Sequence, residues 1–122
     1  MTKDVALQSF FESFGITAYP SSSVPEDVVF PWLTYDPVFS DWDDEPVSIT
    51  VNLWYRTESQ RIPNAKAFEI EKAIGEGGKT ILCEEGIIWI KKGSPFCQSL
   101  RDETDSMIKR RYIQLTAEFL TL

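Results

Sequence analysis

The 122-residue sequence predicts an α+β domain: an antiparallel or mixed sheet of about five strands, with two helices packed on one face. Three observations lead there. "VSITVNLWYRT" and "RRYIQLTAEFLTL" alternate apolar and polar residues, the period of a strand with one dry face. "TKDVALQSFFESFG" and "IPNAKAFEIEKAIGEGG" instead repeat apolar residues at helical spacing. Finally, 43% hydrophobic and 25% charged residues are ordinary for a folded chain, and this length suits one core, so residues 1–122 are read as a single domain.

In order along the chain, Leu7, Phe10, Phe11 and Phe14 share one stripe of the first helix, with Thr2 as its expected N-cap and Gly15 as its stop. "ITAYPSSSVPEDVVFP" holds Pro20, Pro25 and Pro31 and is expected to be an extended connection. "WLTYDPVF" is expected to form a strand that is interrupted near Pro37. In "VSITVNLWYRT", Val47, Ile49, Val51, Leu53 and Tyr55 point one way, while Ser48, Thr50, Asn52 and Trp54 point the other. The second helix has Pro63 in its first turn and glycines from Gly75 at its end; Ile62, Ala67, Ile70, Ala73 and Ile74 share its inner side. Phe68 points almost opposite and is a candidate surface contact. "KTILC" and "IIWIKKG" flank "EEG" as a hairpin, "SPFCQSLRDETDSMIKR" is expected to be a long loop, and Ile113, Leu115, Ala117 and Phe119 line the inner face of a closing strand. The predicted order is α-β-β-α-β-β-β.

Several kinds of chemistry are disfavoured by composition. The chain has no histidine, which removes the Ser-His and Cys-His nucleophile systems and the commonest metal ligand. "GEGGK" follows a helix rather than a strand, so its glycines end that helix instead of cradling a phosphate. "DWDDE" lacks the spacing and distal Glu of a calcium loop, and none of the seven lysines has an acidic residue two positions before it, as a metal-dependent nuclease would often show. No enzyme activity, metal or cofactor is expected. No apolar run is long enough to span a bilayer, the first residues lack a signal-peptide pattern, and Cys83 and Cys97 form no C-x-x-C; these features predict a cytoplasmic protein with free thiols.

Charge is distributed unevenly. Residues 4–55 carry nine carboxylates and no basic residue, whereas residues 56–122 carry 11 basic and 10 acidic residues, within a net charge of -7. Such asymmetry asks for a partner.

Taken in succession, "FPWLTY", "VNLWYRTES", "IPNAKAFEIEKAIG" and "WIKKGSPFCQSLRDETDSMIKRRYIQLTAEFL" resemble the tail terminator (tail completion) proteins of long-tailed phages and prophages of Gram-positive bacteria. The resemblance covers nearly the whole chain, including a loop with Arg101, Asp102 and Asp105 and a closing strand that begins at Tyr112. It implies α+β subunits forming a six-fold ring that caps the tail tube, ends tube polymerisation and offers the surface to which the head docks. The implied partners are other copies of the chain, the major tail tube protein and head-completion or neck proteins, with DNA passing through the ring unbound. The implied location is the host cytoplasm during assembly and then the tail-neck region of the virion.

A ring closes through heterologous contacts, one patch meeting a different patch on the next copy. Asp41, Asp43, Asp44 and Glu45 are the candidate acidic patch, and Lys109, Arg110 and Arg111, or Lys91 and Lys92, the candidate basic one. Trp42 is the candidate apolar anchor and Phe68 a further contact. Carboxylates turned to a central passage would also keep DNA sliding, because each Lys or Arg contact to phosphate adds affinity. Two other readings are a head-completion or neck adaptor protein and, more distantly, an acidic DNA mimic.

Overall fold

A computed structural model describes all 122 residues. Two helices, α1 (Lys3–Glu12) and α2 (Arg61–Ile74), accompany six strands: β1 (Thr17–Pro20), β2 (Trp32–Tyr35), β3 (Val47–Arg56), β4 (Lys79–Leu82), β5 (Gly86–Arg101) and β6 (Ile108–Thr121). They form one curled sheet in the order β1-β2-β3-β6-β5-β4. The β1–β2 pair is parallel and every other pair antiparallel. The α+β class, the mixed sheet and the two helices agree with expectation; the strand count and order do not, because β1 adds a sixth strand and makes the order α-β-β-β-α-β-β-β.

The core follows from alternation. Ile49, Val51, Leu53 and Tyr55 of β3 meet Ile113, Leu115, Ala117 and Phe119 of β6, the two strands pairing from Val47↔Ala117 to Arg56↔Ile108. Both helices cover this face, contributing Ala6, Leu7, Phe11, Ala67, Ile70 and Ile74 to a single cluster of 21 buried residues. At roughly 1.5–3 kcal/mol for each large apolar side chain removed from water, this cluster is the main stabilising term. Phe11 also stacks on Tyr35, with ring centroids 4.6 Å apart.

Two local expectations are corrected. Thr2 occupies the N-cap position of α1 but makes no capping bond to the backbone; its hydroxyl donates to Asp4 Oδ1 at 2.5 Å. On α2 the buried stripe is Pro63, Ala67, Ile70 and Ile74, at spacings of four, three and four, which leaves Ile62 and Ala73 about 100° aside and exposed. Phe68 is exposed, as its place on the wheel requires.

Of the stretch expected to be a loop after Gly93, residues 94–101 belong to β5 and residues 108–110 to β6. Register on β6 shifts between Lys92↔Leu115 and Cys97↔Ile113, so a bulge takes up the extra β5 residues, Pro95 among them. Because β4 pairs only with Ile87–Ile90, the rest of β5 is an outer edge. β5 and β6 form a long hairpin, closed by the turn at residues 102–107, and β3 flanks its β6 arm as far as Arg56↔Ile108.

Candidate functional site

The acidic stretch lies where β6 ends. Asp43 has φ 63°, the left-handed conformation that Asp tolerates better than most residues, and this turn brings its carboxylate to the last strand residue. Its Oδ1 accepts from the Thr121 N–H at 3.0 Å and its Oδ2 from the Thr121 hydroxyl at 2.7 Å, while its own N–H donates to the Phe119 carbonyl at 2.6 Å. These bonds hold the Asp43 carboxyl below the ordinary aspartate range. Asp43 is thus a clasp within the subunit.

Trp42 is half-buried. Its ring packs edge-on against Phe119, the Lys3 ammonium sits 4.5 Å above it, and its indole N–H donates to Glu85 at 3.0 Å. A Cβ at Gly86 would meet the Trp42 ring at 2.7 Å and the Leu120 carbonyl oxygen, so only glycine fits beneath this tryptophan. The Lys3 ammonium also donates to the Ser40 carbonyl at 2.6 Å, fastening the loop to α1. Asp41, Asp44 and Glu45 are exposed around this anchor. Asp44 accepts from the Glu45 N–H at 2.8 Å, whereas the carboxylates of Asp41 and Glu45 form neither a hydrogen bond nor an ion pair in the subunit.

The basic run Lys109-Arg110-Arg111 is divided by the strand, since neighbouring side chains on β6 point to opposite faces. Arg110 lies on the open face, 4.8 Å over the Trp54 ring, with its Nε donating to Asn52 at 2.8 Å. Arg111 faces the helices and is 2% exposed. Its Nε donates to Asn64 Oδ1 at 2.9 Å, and its terminal nitrogens donate to Gln60 Oε1 at 2.7 Å, the Gln60 carbonyl at 3.4 Å and the Arg110 carbonyl at 3.2 Å. Every acceptor is neutral, and burial pulls the guanidinium pKa down. Lys109 donates to the Ser106 carbonyl. With Arg101, Lys109 and Arg111 line a cleft of about 770 Å³ between the 102–107 turn and the start of α2.

Lys91 and Lys92 are matched inside the subunit: Lys91 pairs with Glu118 at 3.3 Å and lies 4.1 Å over Trp89, and Lys92 reaches Glu71 at 3.8 Å. Phe68 stands apart from both charged regions, on the outer side of α2.

One surface escaped the sequence reading. On the open face Trp32 and Trp54, opposite each other on β2 and β3, stack at 5.2 Å with their rings 10° apart, and Arg110 continues the row onto β6. Both indole N–H groups lack a partner. The outward direction of Trp54 was readable from alternation; the pairing needed the β2–β3 register.

The structure brings no group of three or more His, Cys, Asp or Glu side chains into position to hold a metal, and no helix is long and apolar enough to cross a membrane. Comparison with known proteins gives no matching family model, no similar characterised protein and no similar solved structure.

Proposed function

We propose that this chain is a structural subunit that joins head to tail with copies of itself into a closed ring and, as its resemblance to tail terminators implies, caps a phage tail tube. The observation that carries this reading is the placement of opposite charge at the two ends of one long strand. Arg111 and Thr121 are both on β6, ten residues apart, or roughly 30 Å at about 3.3 Å per residue. At physiological salt that is several Debye lengths of about 8 Å, so the two ends do not neutralise each other within a subunit. Their natural partners lie on neighbouring copies, and one patch meeting a different patch is the geometry that closes rings.

In the ring the acidic loop of one copy meets the basic end of the next. Trp42 serves as the rigid platform behind the acidic residues, because its ring is already committed to Phe119 and Lys3. Carboxylates outside the contact face solvent or the central passage, where they repel rather than retain DNA.

The functional test is tube capping. Tail tube protein from the same phage, polymerised with and without this chain and viewed by electron microscopy, should give short tubes ending in a ring when the chain is present. Unrestricted tubes would exclude the terminator role, and attachment to neck proteins but not to the tube would favour an adaptor.

A further inference from the structure

We propose that the cleft between the 102–107 turn and the start of α2 is a carboxylate-binding site, filled in the assembled protein by the 41–45 loop of a second copy. The choice of occupant rests on the head-to-tail reading above; the site itself rests on Arg111. That side chain is 2% exposed, yet no carboxylate lies within ion-pair distance of it. Burying a charge that is hydrogen-bonded only to neutral groups leaves a desolvation cost that an arriving anion relieves. Four of its N–H···O contacts go to Asn64, Gln60 and Arg110. A guanidinium has five N–H donors, so one is left over.

Chemistry around the cleft fits a carboxylate. Arg101 forms no ion pair, and Lys109 is held at the rim by the Ser106 carbonyl. Of the two acidic residues in the lining, Asp102 is spent on its own turn, its Oδ1 accepting from the Thr104 N–H at 2.8 Å, the Thr104 hydroxyl at 2.6 Å and the Asp105 N–H at 3.2 Å. Glu103 is exposed and does not offset three basic groups. A volume of about 770 Å³ admits a short loop rather than a single ion.

The 41–45 loop supplies the matching groups. Asp43 is spent on Thr121, but Asp41 and Glu45 have no partner in their own subunit and stand exposed on a loop anchored by Trp42. A preorganised loop loses little freedom on docking, which favours the contact.

Charge exchange tests the site. Two variants are made, R101E/K109E and D41K/E45K; three of the four substituted side chains are exposed and Lys109 is half-exposed, so both should keep the wild-type melting temperature. In sedimentation velocity at low salt each variant alone should self-associate at least about tenfold more weakly than wild type, because like charges then face each other. An equimolar mixture should recover association, since each interface then pairs opposite charges. Arg111 is retained in both, so its Nε–H resonance in labelled D41K/E45K should shift when R101E/K109E is added. A mixture that stays dissociated, or an unmoved Arg111 resonance, overturns the assignment. Variants that both assemble like wild type overturn the cleft while leaving the ring intact, and a wild type that never associates removes both.

Discussion

Arg111 is the one buried charged side chain and has no ion-pair partner, and its replacement separates packing from charge. Arg111→Ala removes the donor from Gln60 and Asn64 and should lower stability by about 2–3 kcal/mol, measured by urea denaturation. Arg111→Lys keeps the charge but cannot reproduce the fork to Asn64 and Gln60, so it should recover less than half of that loss. Asp43 gives a pH signature. Its carboxyl titrates below the ordinary value of 3.8 because Thr121 donates to the ionised form. The stability it contributes is therefore present above that value and is lost as pH falls through the lowered folded-state value. The difference in melting temperature between wild type and Asp43→Asn should be greatest near neutral pH and shrink in acid; a difference constant across that range would show that geometry, not ionisation, makes the clasp. Trp42, expected from sequence to be a free anchor, is half-buried on Phe119, so Trp42→Ala should cost the isolated subunit roughly 2 kcal/mol, less than the 3–5 typical of a fully buried tryptophan.

At the scale of elements, β3 and β6 were legible because each is long and buried on one side, so alternation reports directly on the core. The helices were legible as stripes, although Pro63 rather than Ile62 holds the inner position. β1 was not. Four residues ending in proline carry no detectable period, and their strand character comes from pairing with β2, which is settled only in three dimensions. The outer half of β5 was hidden in the same way: its polar residues face solvent on an unpaired edge, and the bulge around Pro95 breaks the alternation. For the candidate site, residue identities were readable but grouping was not, since adjacency along β6 means opposite faces: Arg110 is paired with Trp54 while Arg111 enters the core. The hairpin start offers a sharp test. Gly86→Ala would press on Trp42 and on the Leu120 carbonyl, both backed by packed structure. We expect a loss of roughly 2 kcal/mol and a red shift of tryptophan fluorescence as Trp42 is displaced into water. An unchanged spectrum would place the Trp42 ring elsewhere.

For the whole molecule, a net charge of -7 divided into an acidic end and a basic cleft has two consequences. Duplex DNA should not bind measurably at physiological salt, because the three basic residues of the Lys109–Arg111 run offer at most a few phosphate contacts and Arg111 among them is buried. Self-association, in contrast, should be driven by charge and weaken as salt screens it. The most direct measurement is sedimentation velocity of the purified chain at salt concentrations of about 50 and about 500 mM, which bracket Debye lengths on either side of about 8 Å. The head-to-tail ring predicts a species of six times the 14.0 kDa chain mass at low salt that falls towards the monomer at high salt. A monomer under both conditions, or an oligomer equally stable in both, would contradict it.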